Sequence, residues 1–123
     1  MLAPIAYGLA VLLSLFVLFI GMRFLFQPRL AADGYGVRAK PDGDSAYLSV
    51  KGVRDACYGL LGLALLAFAD ANAAAWFMLV VALAPLGDTV IVLRNGGTRA
   101  AAFGIHFATA LVVLLSAALL FAV

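Results

Sequence analysis

Charge is what this sequence has least of. Only 11% of its 123 residues are Asp, Glu, Lys or Arg, while 67% are hydrophobic and the mean hydropathy is +1.16. Soluble domains carry about 25% charged residues, so a water-facing globular surface is excluded. Cysteine occurs once, at Cys57, so no internal disulfide can form and thiols say nothing of the compartment. Strand-length alternation of apolar and polar residues is missing too. The apolar runs are continuous, which excludes a β-barrel. Nucleotide-binding loops, nucleophile motifs and nucleic-acid-binding patches are lacking, and no nucleic-acid partner is expected.

What is present is four long apolar segments, 4–26, 48–69, 73–93 and 100–123. At about 1.5 Å rise per residue each helix reaches ~30 Å, the thickness of the hydrocarbon core. The expected fold is an all-α integral membrane protein, an antiparallel up-down four-helix transmembrane bundle forming one domain over 1–123. The first segment lacks a basic leader and a small-residue cleavage site and is followed by Arg23 and Gln27-Pro28, so it reads as a retained helix. No soluble domain is expected before or after the spans.

The eight basic residues are Arg23, Arg29, Arg38, Lys40, Lys51, Arg54, Arg94 and Arg99. All lie in the 27–47 and 94–99 connections or at the helix ends beside them, and Asp70 is the lone charge on the opposite side. The positive-inside rule makes both connections cytoplasmic and leaves both termini outside, as in a bacterial inner membrane. Anionic lipid headgroups are the natural partners of this basic face. In the longer connection, Pro28 and Gly34 frame a short interfacial helix of about 28–33. "KPDGD" reads as a turn, with Asp44 or Ser45 capping the second span. "DANA" (70–73) reads as a tight turn, and "RNGG" (94–97) as a left-handed helix stop.

This topology gathers scattered charges into a layer. Arg23, Asp55, Asp88 and His106 each fall about 6–10 Å of helix rise from the cytoplasmic end of their own span. Ionisable groups within a bundle point inward and pair. Asp55, Asp88 and His106 are the candidate catalytic, proton-transferring residues; Arg23, Lys51 and Arg54 are the candidate ligand-binding cations. Phe16, Phe19, Ile20, Tyr58 and Phe103 would line the apolar part of the site. Gly52, Asp55, Gly59 and Gly62 fall on one helical stripe, a face suited to close backbone approach. Pro85, three residues before Asp88, is placed to kink its helix.

Each residue also has a plainer account. Lys51 and the arginines can snorkel to lipid phosphates, the aspartates can fix helix register, and His106 can be a hydrogen-bonded packing residue. Cys57, about 200° around the helix from Asp55, reads as packing. Two carboxylates and a histidine match a metal-ligand set in type, yet Arg23, Lys51 and Arg54 would repel a cation. No metal and no cofactor is expected.

The segments "RFLFQP" (23–28), "VKGVRD" (50–55), "PLGD" (85–88), "VLRNGG" (92–97) and "GIHFATA" (104–110) resemble a family of small four-span proteins of bacteria and fungi, domain of unknown function 4267. That resemblance runs over nearly the whole chain and implies a four-helix membrane protein, without an activity or catalytic residues to carry over. Three functions stay open. The first is a polar pocket under the cytoplasmic face that binds, or acts by acid/base chemistry on, a small amphiphilic molecule. The second is a non-enzymatic accessory or homo-oligomeric subunit whose polar layer is structural. The third is a small transporter.

Overall fold

Long runs of Ala, Leu, Val and Phe, with almost nothing polar to compete for backbone hydrogen bonds, fold as helices. The computed structural model describes residues 1–40 and 43–123 and contains five helices. These are α1 (Leu2–Phe26), α2 (Pro28–Tyr35), α3 (Ser45–Phe68), α4 (Ala71–Arg94) and α5 (Arg99–Ala122). The helical run of α4 is interrupted at Ala82, and α5 is π-helical over Ala102–Phe107.

Three of the five, α1, α4 and α5, are long and apolar enough to cross a membrane, with mean hydropathies of 2.5, 2.1 and 2.3. The protein is therefore all-helical and membrane-embedded. At 24 residues α3 is equally long but less apolar, because Lys51, Arg54 and Asp55 stand in its first half. Large side chains such as Phe19, Leu60, Phe68 and Leu83 face outward, a surface suited to lipid.

Glycine decides how α1 meets α3. A Cβ on Gly59 would lie 2.6 Å from the Ser14 carbonyl oxygen, and one on Gly52 would lie 2.8 Å from that of Gly21. Higher positions of α1 therefore face lower positions of α3, and the two helices run antiparallel with backbones in contact. The expected stripe of Gly52, Gly59 and Gly62 is this seam. Small residues continue the theme elsewhere: Ala6, Ala10, Ala74, Ala75, Ala82 and Ala117 pack with Met78, Val113 and Leu120 in the core.

Several local expectations need correction. The interfacial helix does not stop at Gly34. It runs to Tyr35 and ends at Gly36, whose φ of 96° only glycine adopts readily. Asp44 precedes α3, but its carboxylate accepts from the Lys40 backbone N–H (2.5 Å) and makes no cap bond. Pro41 and Asp42 of the expected "KPDGD" turn lie outside the described residues. "DANA" is not a turn either: Asp70 caps α4 by accepting from the Ala73 N–H at 2.7 Å, and Ala71–Ala73 are already helical. Cys57 is exposed and not packed within the chain. At "RNGG", Gly96 takes φ 78° and the Gly97 N–H donates to the Val92 carbonyl (2.8 Å), a left-handed stop as the residues suggest.

Candidate functional site

Residues from all five helices line a partly open cavity of about 270 Å³. Phe16, Phe19, Ile20, Phe77, Met78 and Val81 give it apolar walls, while Arg23, Tyr35, Asp55, Asp88, His106 and Thr109 supply its polar groups. The polar groups gather toward α2, and the apolar ones lie deeper along α1 and α4. Pro85 also lines the cavity. It has no N–H to give the Val81 carbonyl, and the helical run is interrupted three residues earlier, at Ala82.

Tyr35 connects the polar residues. Its hydroxyl donates to Asp88 Oδ2, and its backbone carbonyl accepts the His106 Nε2–H at 2.6 Å. Its ring lies 4.2 Å from the His106 ring and packs its edge on Phe24 at 5.5 Å. Lys51 Nζ sits 4.3 Å from the Tyr35 ring centroid and 4.7 Å from that of Phe24 while pairing with Asp55 at 2.6 Å. Each contact follows from where α2 ends. Gly36 turns the chain against Val92 and Ala101, and a Cβ on Gly97 would lie 2.7 Å from the Gly36 carbonyl oxygen. The C-terminus of α2 is thereby seated on α4 and α5.

The electrostatics follow from this packing. Burial first, and then the charge of Asp88 and the hydrogen bond to it, push the Tyr35 hydroxyl above its ordinary value of 10.0. Tyr35 therefore keeps its proton at any physiological pH and serves as a hydrogen-bond donor to Asp88. A carbonyl can only accept, so its bond to His106 places a proton on Nε2. Nδ1 has no hydrogen-bond partner among the described residues. His106 itself is only 3% exposed and lies in the π-helical stretch, a local widening that recurs at functional sites.

Of the candidates named from sequence, Arg23, Asp55, Asp88 and His106 line this one cavity. Lys51 stands behind it, engaged with Asp55 and two aromatic rings. Arg54 is exposed and outside the cavity wall. Phe16, Phe19, Ile20 and Tyr58 line it, whereas Phe103 faces outward and meets the Phe107 ring edge-on. Sequence reasoning missed Tyr35, because it is marked only by preceding the helix-stopping glycine and that stop is Gly36 rather than the expected Gly34. Thr109 was not named as a site residue, although its spacing of three residues from His106 puts it on the same helical face. Among the described residues no group of three or more His, Cys, Asp or Glu could hold a metal ion.

An all-helical scaffold with membrane-crossing segments around a cavity, apolar in depth and polar at one end, defines a small membrane-embedded protein with a candidate ligand site. The chain belongs to the family described as domain of unknown function (DUF4267), whose family model matches residues 14–120. Neither a curated protein nor a solved structure matches it.

Proposed function

We propose that the protein is a four-span antiparallel bundle of a bacterial inner membrane. Both termini lie outside, and the 27–47 and 94–99 connections are cytoplasmic. Its cavity binds a small amphiphilic molecule and acts on it by acid/base chemistry. The observation that carries this reading is the cavity itself: apolar walls leading to a guanidinium, two carboxyl groups, a phenol and an imidazole. Arg23 holds a negative or carbonyl-bearing head, for which its fixed charge and planar donors suit it. His106 Nδ1 takes a proton from the bound molecule and returns it as an imidazolium, while the Tyr35–Asp88 pair holds the site in place. The two carboxyl groups sit in unlike surroundings, Asp55 beside an ammonium and Asp88 beside a phenol, which allows them different roles.

The test is mass spectrometry of small molecules retained by purified wild type, Asp88→Asn and His106→Ala, each checked for thermal stability. A discrete molecule on wild type that is lost from stable variants is the expected result. A second reading draws on the mutual pairing of Lys51 with Asp55 and of Tyr35 with Asp88 and His106. These bonds would also serve an accessory or oligomeric subunit whose polar layer only fixes helix register. In that case both variants lose stability and wild type carries bulk lipid alone.

A further inference from the structure

On the outer face of the molecule α1 and α5 leave a shallow groove between them, lined by Leu13, Phe16, Gly104, Ile105, Ala108 and Val112 together with Thr109. Leu13, Phe16, Ile105 and Thr109 also line the cavity, so these four side chains form the partition between cavity and groove. The partition is one layer of side chains and is exposed on its outer side. Phe16 and Ile105 are each nearly half exposed, and a Cβ on Gly104 would meet nothing within 4 Å. Ile105 and Gly104 lie in the π-helical stretch, where the regular backbone hydrogen bonding of α5 is already altered. Both flanking helices are apolar enough to cross a membrane, so the groove faces hydrocarbon.

The charge pattern specifies the head of a ligand. Arg23 is the one cation of the cavity wall, and its side chain makes no hydrogen bond or ion pair among the described residues. The Asp55 carboxylate is matched by Lys51. Asp88 accepts the Tyr35 hydroxyl. A single unpaired guanidinium beside a carboxyl-bearing wall suits one negative charge and disfavours a phosphate dianion. The volume specifies the tail. About 270 Å³ lies just under the ~300–1,000 Å³ of pockets for drug-sized ligands, so two lipid chains do not fit.

We propose that the groove between α1 and α5 is the entrance by which a single-chain amphiphile with a carboxylate head passes sideways from the bilayer into the cavity, where Arg23 receives the head. This rests on the cavity being a binding site. The head then lies near α2, and the tail runs past Val81 at the middle of α4 toward Met78 and Phe77.

The probe is decanoate carrying a photoreactive diazirine at its chain end, with the matching alkyltrimethylammonium compound as the opposite charge. Protein in lipid nanodiscs is irradiated at successive times, and labelled residues are located by mass spectrometry. Decanoate is expected to label residues 77–81 of wild type, and the ammonium probe at least roughly tenfold less. Gly104→Phe, which fills the groove, is expected to slow that labelling about tenfold or more, corresponding to one plugged route. Gly8→Phe, at another glycine whose Cβ meets open space, keeps the wild-type rate. Val112→Trp reads the same entrance independently should Gly104→Phe fold poorly. Arg23→Gln is expected to weaken labelling by roughly tenfold to a hundredfold at equilibrium.

If neither probe labels 77–81 in wild type, the cavity is no binding site and the functional reading fails with the entrance. If labelling is strong but equally fast in Gly104→Phe and Val112→Trp, the binding site stands and the entrance is overturned. Equal labelling by both probes, unchanged in Arg23→Gln, overturns the carboxylate assignment.

Discussion

Replacing Tyr35 by Phe removes one oxygen and leaves the rest of the contact set in place. The ring stays beside His106, Lys51 and Phe24, and the backbone carbonyl still accepts from His106. What disappears is the hydroxyl bond to Asp88. A hydrogen bond to a carboxylate contributes about 1.5–3 kcal/mol, and Asp88 has no other hydrogen-bond donor among the described side chains. A loss of ~2 kcal/mol is about a thirtyfold rise in the population with α2 lifted from α4. Hydrogen exchange of the 31–35 amides in reconstituted protein is expected to quicken by about that factor, while the α1–α3 seam keeps its protection. The pH response adds a second signature. The Tyr35 hydroxyl is raised above 10.0 in the folded protein, so its contribution is complete below about pH 10 and declines as pH rises beyond that value. Wild type should lose protection in α2 above that pH, and Tyr35→Phe should lack this decline. Unchanged exchange in the variant, with the alkaline decline retained, would refute the assignment of Tyr35 as the bond that seats α2.

Other perturbations have equally definite outcomes. Gly59→Ala puts a methyl 2.6 Å from a carbonyl oxygen of α1 and should cost about 1–3 kcal/mol in thermal or denaturant unfolding, whereas Gly104→Ala should be near neutral. The Ser116 hydroxyl is fully buried without a hydrogen-bond partner among the described residues, so Ser116→Ala should hold or raise the thermal midpoint; a clear fall would mean the hydroxyl is satisfied. Lys51→Met strands Asp55, whose side chain is 14% exposed, and should destabilise by somewhat less than the ~3–5 kcal/mol of a fully buried pair. Adding Asp55→Leu should restore most of that loss, as read by the same melting curves. In cells, tags on both termini should be protected from a cytoplasmic protease and cysteines at Arg38 and Arg99 should react with cytoplasmic reagent; the reverse pattern would invert the topology.

Much of the fold was legible because the bilayer imposes a coarse rule. Apolar runs of span length must be helices, and the ends of α1 and α3 fall within a few residues of where the runs end. The glycine seam was legible for the same kind of reason: spacing on one helix face leaves few other uses for Gly52, Gly59 and Gly62. Helix-rise arithmetic likewise places Arg23, Asp55, Asp88 and His106 at a common depth, and they line a common cavity. The family resemblance read from five short segments agrees with the match over 14–120. What escaped depends on single backbone angles and on rotamers. Gly34 and Gly36 are chemically alike, and only the packing of Gly36 on Val92 and Ala101 makes it the helix stop. Tyr35 follows from that stop, so the residue linking the polar layer could not be placed before α2 was. Arg54 and Lys51 are three residues apart, too close in sequence to foresee that one faces outward and the other pairs with Asp55.

The most direct test is native mass spectrometry of wild type and Gly34→Phe released straight from membranes. Gly34 lines the cavity and a Cβ there meets open space, so the bulky ring fills the site without disturbing its walls. If the cavity holds a ligand, wild type carries one discrete added mass above bulk lipid, and the variant, equally stable, loses it. Bare chain with the same bulk lipid on both proteins would contradict a binding site and leave the polar layer as a structural clasp.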